Sequence, residues 1–163
     1  MPSAVLSEVI GFTAFVVLLS ISLVCFTLHQ SVIALNTDEV VLRDVAEYVA
    51  TSLSSLVSMA NSSAENEVFL AKVLNIPQDV NGKGYFITLE NNSGILVVVV
   101  YYSDYMKQEA RLWSCKNIDL DYKDLSQFNV EYVYEISSGM KNPVVWCWKK
   151  NGSLSIGLGI LGG

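Results

Sequence analysis

Histidine occurs once in this chain, as His29, and cysteine three times, as Cys25, Cys115 and Cys147. A single imidazole without Cys or carboxylate neighbours cannot build a metal site of the usual ligand count. Ser-His-Asp chemistry would have to run on His29, at the end of an apolar run and so at a membrane boundary. There is no Gly-rich phosphate loop, no CxxC and no CxxCH. Asp119, Asp121 and Asp124 cluster around Tyr122-Lys123 but lack the Gly and terminal Glu of an EF-hand, so a solvated acidic loop is the simpler reading. The expectation is a protein that is not an enzyme and uses no cofactor or metal.

Basic charge is also scarce. Ten Lys and Arg stand against sixteen Asp and Glu, for a net charge of -6, and Lys149-Lys150 is the only adjacent basic pair. A nucleic-acid partner needs clustered cations to release counterions, so none is expected. The first basic side chain is Arg43; Met1-Pro2-Ser3 lacks the basic n-region of a secretory signal, and loop charge gives no membrane orientation. After Pro2 no proline follows until Pro77, so nothing obliges an N-terminal helix to stop.

What fills that proline-free region is apolar. Val9 to Leu28 carries no charge and is about the length needed to cross a ~30 Å hydrocarbon core. Beyond it Leu35, Val41, Leu42, Val45, Ala46, Val49, Leu53 and Leu56 recur at steps of three and four, one face of a helix. The pattern predicts one helix over residues 1–60, with an apolar half at 4–30 and an amphipathic half at 31–60. Glu8, at the edge of the run, is costly alone; it either sits in the head-group region or forms an ion pair with a neighbouring subunit's N-terminal amine when the helices bundle.

The period then changes to two, which predicts a globular β domain over 64–163. Candidate strands are 68–76, 85–89, 95–102, 110–116, 130–136, 144–149 and 154–160, with Asn-Gly turns at Asn81-Gly82 and Asn151-Gly152. The run Ile95 to Tyr102 belongs in the middle of a sheet buried on both faces. About seven short strands make an antiparallel β-sandwich or barrel, so the fold class is α+β. In the last strand, glycines alternating with large residues leave a narrow face that lets another backbone or helix approach, or simply make a weak closing strand. Trp113, Trp146 and Trp148, with eight tyrosines, read as core and rim; a carbohydrate-binding platform is the sharper alternative.

Cys115 and Cys147 form an even pair in candidate strands, and in a domain outside the cell they are expected to form a disulfide; two buried thiols are the alternative. Sequons at Asn61, Asn91 and Asn151, each beside turn-forming residues, fit a surface exposed to N-glycosylation.

The order of parts, a hydrophobic N-terminal helix, an amphipathic continuation (LRDVAEYVATSLSSLV) and a β domain without a catalytic motif, resembles the archaeal pilin-like proteins of the type IV filament superfamily. The opening Ser3-Ala4-Val5-Leu6-Ser7-Glu8-Val9-Ile10 is also similar to the archaellum stator proteins that share this plan. The resemblance implies that Glu8, Val9, Ile10, Phe12, Phe15, Val16, Leu19, Leu23 and Phe26 assemble copies of the chain into a filament core. It further implies a stay in the membrane before assembly, and a membrane platform and ATPase to extract and stack the subunits. Pilin precursors carry a short basic leader that is not visible before this apolar run. Either it has been removed, or the stator-like alternative holds, in which an anchored helix bears an external domain that binds a surface layer or a filament.

Overall fold

The computed structural model describes residues 2–92, 95–103, 107–111, 118–120 and 124–162, and of residues 2–8, 32–36 and 107–111 the backbone alone. It opens on one helix, α1, Pro2–Ser62. Serines end it: the Ser63 N–H and the Ser62 hydroxyl both donate to the Met59 carbonyl, at 3.2 and 2.9 Å. That meets an acceptor the helix itself leaves open in its last turn.

The chain divides into two compact units, Met1–Asp38 and Glu39–Gly163. The second holds the rest of α1 and the strands β1 Glu67–Val73, β2 Phe86–Asn92, β3 Ile95–Tyr101, β4 Lys107–Arg111, β5 Ile118–Asp119, β6 Val130–Val133, β7 Glu135–Ser137, β8 Pro143–Lys150 and β9 Ser153–Leu161. One sheet runs β1-β8-β9-β5 with β6 also on β9, and the other runs β4-β3-β2-β7. All pairings are antiparallel except β5 with β9. The fold is therefore α+β with an N-terminal helix, as the periodicities predict.

Inside the second unit the helical stripe becomes core. Leu42, Val45, Ala46, Val49, Leu53 and Leu56 are buried in one cluster with Ile87, Val98 and Val100 of one sheet and Val145, Cys147 and Ile156 of the other. Val41 is half-buried against the same cluster. Losing one such side chain, as in Leu53→Ala, costs about 2–5 kcal/mol in a packed core. In β3, Leu96 through Val100 are all buried, as expected of an inner strand. The Asn-Gly turns form with both residues at positive φ, 53° and 75° at Asn81-Gly82 and 51° and 81° at Asn151-Gly152. Such a turn matches the strand twist of a tight hairpin.

Three strand expectations are revised. The alternating run 130–136 is not one strand: the chain bends at Tyr134 and passes from β6 in one sheet to β7 in the other. Both halves keep their inward residue, since Val133 and Ile136 reach the same core. The strand expected over 68–76 ends at Val73, after which the Leu74 N–H donates to the Pro143 carbonyl at 2.7 Å. The strand expected over 110–116 is seen as β4 at 107–111, and residues 112–117 lie outside the described residues.

The glycines of β9 do admit close neighbours, and these come from the chain's own sheet. A Cβ at Gly157 would lie 2.4 Å from the Trp146 ring, whose Nε1 donates to the Leu158 carbonyl at 3.0 Å. A Cβ at Gly159 would lie 2.6 Å from Val130 Cγ1 and 2.9 Å from the Glu131 carbonyl of β6. Gly157→Ala should therefore force the buried indole to shift and lower stability by about 1–3 kcal/mol. Gly139→Ala, where a Cβ meets nothing within 4 Å, should be nearly neutral. Urea unfolding of the two full-length variants checks this, and equal midpoints would refute the packing account.

Candidate assembly and membrane segment

Among the described residues one helical stretch is long and apolar enough to cross a membrane: Val9–Ser31, 23 residues, none of it buried. Phe12 is 70% exposed and Phe26 61%, whereas Leu53, further along the same helix, is fully buried. Burying a large apolar side chain stabilises by roughly 1.5–3 kcal/mol, so exposing this many to water is strongly unfavourable.

The stretch also carries little demand for water. Its backbone is paired within the helix, as a segment in hydrocarbon requires. Four of its hydroxyls turn back on the helix: Thr13 donates to the Val9 carbonyl (2.8 Å), Ser20 to Val16 (2.9 Å), Thr27 to Val24 (2.9 Å) and Ser31 to Thr27 (3.0 Å).

Helical geometry sorts the expected assembly residues by face. At about 100° per residue, Phe12, Phe15, Leu19, Leu23 and Phe26 share one side, a ridge of large side chains. Val16 borders it. Val9 falls on the next side with Thr13, Ser20 and Thr27, and Ile10 lies roughly opposite the ridge. The nine residues are thus not one stripe. Glu8 is described by backbone alone, so its expected ion pair lies outside the described side chains.

The other expected sites scatter over the second unit. Asn61 is exposed in the last turn of α1, Asn91 is exposed near the end of β2, and Asn151 is exposed in the β8–β9 turn. Cys147 is buried on β8 and Cys115 lies outside the described residues, as does any pairing between them. Of the tryptophans, Trp146 is core, Trp148 is half-buried with Lys150 Nζ 4.9 Å from its ring centre, and Trp113 lies outside the described residues. Of the acidic loop, Asp121 lies outside them too. Asp124 Oδ1 accepts the Ser126 N–H at 3.1 Å, and its hydrogen bonds from the Ser126 side chain and backbone hold its carboxyl below the usual range. No group of three or more His, Cys, Asp or Glu is placed to hold a metal among the described residues.

Two polar links were not legible in the sequence. Lys72 Nζ donates to Ser52 Oγ at 2.9 Å and sits 5.0 Å from the Tyr48 ring centre, joining β1 to α1. The Tyr101 hydroxyl donates to the Glu135 carboxylate, joining β3 to β7 across β2. Nothing local marks either pair, because each partner is distant in sequence. No family model, curated protein or solved structure matches this chain.

The hydrogen bond to Glu135, with a smaller effect of burial, pushes the Tyr101 hydroxyl from 10.0 up to about 12. Its folded value is raised, so its contribution is complete below pH 10 and fades as pH climbs towards 12. Urea unfolding of Tyr101→Phe should show lower stability than the parent at pH 8 and a narrowing gap above pH 10. A gap that does not change with pH would contradict the assignment. For the apolar stretch, Leu19→Lys places a charge near its centre at a cost of about 2.5–3.5 kcal/mol on insertion scales. Carbonate-washed membranes should retain the parent chain and lose most of the variant; equal retention would contradict a spanning role.

Proposed function

We propose that this chain is the structural subunit of an extracellular, type IV pilus-like filament. Copies polymerise through bundled N-terminal helices, and the β-rich unit faces outward for adhesion or protection. The observation that carries the reading is the wholly exposed 23-residue apolar stretch of α1. Uncharged, with most of its hydroxyls bonded within the helix, it suits lipid before assembly and neighbouring copies afterwards. The unit from Glu39 onward supports the reading from the other side, because it has a hydrophobic core of its own. Exposed sequons at Asn61, Asn91 and Asn151 suit an outer surface carrying N-glycans, and a Cys115–Cys147 disulfide would suit the same compartment.

Glu8 is assigned the pairing of subunits through a neighbour's N-terminal amine. Material sheared from producing cells, viewed by electron microscopy, should contain helical fibres built from this chain. Glu8→Gln should cut fibre yield at least tenfold while membrane retention stays at the parent level. Recovery of the parent chain only with membranes, without fibres, would overturn the filament in favour of an anchored external domain of the stator type.

A further inference from the structure

Two depressions flank β6 in the second unit. The larger, about 530 Å³, is lined by Asp124, Ser126, Asn129, Glu131 and Tyr132 among others. That volume falls within the ~300–1,000 Å³ of small-ligand sites. The smaller, about 240 Å³, lies where β5 and β6 share one edge of β9. There β5 pairs with Leu154 and Ser155, and β6 with Leu158 to Leu161. Ile156 and Gly157 thus have no strand beside them on that edge among the described residues. Leu89, Leu120, Tyr132 and Tyr134 complete the walls.

Tyr132 lines both depressions and belongs to a row of three rings. Trp146, wholly buried, lies 6.2 Å from Tyr132, and Tyr132 meets Tyr134 T-shaped at 4.9 Å and 89°. Tyr134 is nevertheless 73% exposed, more than any other large hydrophobic side chain described in this unit. An aromatic ring braced from behind and open in front presents an apolar face at little entropic cost. The wall of the larger depression is fixed as well. Asn129, at φ 55°, donates its N–H to the Ser126 carbonyl at 3.1 Å and its Nδ2 to the Gly162 carbonyl at 2.9 Å.

The chemistry of the lining narrows the ligand. Among the described residues neither depression is lined by Lys or Arg, while Asp124 and Glu131 line the larger one, so phosphate, sulfate and carboxylate ligands are not the favoured class. The acceptors of Asp124 and Glu131 call for donors, and the open Tyr134 ring calls for an apolar C–H face. A free organic cation would be better served by a cage of ring faces, whereas two rings at right angles leave one open face. A molecule with a hydroxyl edge and a C–H face is a pyranose sugar.

We propose that the surface around Tyr134, Tyr132 and Glu131 binds a neutral saccharide, which stacks on Tyr134 and donates its hydroxyls to the carboxylates of the adjoining depression. The proposal concerns the second unit alone and stands or falls separately from polymerisation.

The test uses the full-length chain, unassembled, in a zwitterionic detergent free of sugar, from a host that does not N-glycosylate. Saturation-transfer NMR is read with maltose, lactose, cellobiose and mannobiose, and with sialyllactose as an acidic control. Transfer to the ring C–H protons of at least one neutral disaccharide is expected, with weaker transfer to sialyllactose. Tyr134→Ala should lower affinity at least tenfold, Tyr134→Phe should keep it within about twofold, and Glu131→Gln should weaken it several-fold. Tyr134 is exposed, so unchanged near-ultraviolet circular dichroism away from its own band verifies that the variants fold. No transfer from any of the four neutral disaccharides, equal transfer in Tyr134→Ala, or stronger transfer to sialyllactose would overturn the proposal.

Discussion

The constraint on which the rest depends is that, among the described residues, none of the apolar stretch Val9–Ser31 is buried. The hydrophobic effect scales with apolar area left in water, and a helix with Phe12, Phe15, Leu19 and Phe26 in the open must find another solvent. By length and composition the stretch could cross a membrane, and the hydroxyls of Thr13, Ser20, Thr27 and Ser31 are bonded within the helix. The same α1 continues into Leu42, Val45, Val49 and Leu53, which are buried within the second unit. One helix therefore runs from an exposed apolar stretch into a buried stripe, and the change is written in its side chains.

The second unit is organised around that helical stripe. Two sheets contribute to a single core with it, and Lys72, reaching from β1 to Ser52 and Tyr48, adds a polar tie. On the other face of β8 a smaller cluster gathers Leu125, Val130, Val144 and Trp146, with Phe69, Phe128 and Tyr132 packed against it. Phe69 and Phe128 stack with ring centres 3.9 Å apart, carrying the 3₁₀ turn Ser126–Phe128 onto this cluster. Two clusters separated by one strand explain why β8 is buried from Pro143 to Cys147. The glycines of β9 belong to the same economy of space, since Trp146 can lie flat only where Gly157 has no side chain.

Much of this was legible in the sequence because it is local. Absence of proline, an uncharged run and a stripe at steps of three and four set α1, and Asn-Gly pairs at positions 81 and 151 set two tight turns, the second being that of the β8–β9 hairpin. The valines of β3 announced an inner strand. What could not be read depends on residues distant in the chain. The bend at Tyr134 interrupts a perfect alternation, and only the two-sheet arrangement gives it a reason. The two-residue β5 pairs in parallel with β9 and is too short to leave a periodic signal. The partner of the glycine face was Trp146, eleven positions away across a hairpin. In the assembly segment the residue types were legible, while their division into a large ridge and a hydroxyl-bearing side follows from helical geometry.

The central claim is that residues 9–31 do not meet water in the working protein. Hydroxyl-radical footprinting with mass spectrometry, on native membranes and on any sheared fibres, reads water access residue by residue. Phe12, Phe15 and Phe26 should stay unmodified in both preparations, while exposed Met59, Tyr134 and Met140 of the second unit oxidise. Oxidation of the three phenylalanines at rates comparable to Tyr134 would contradict the account.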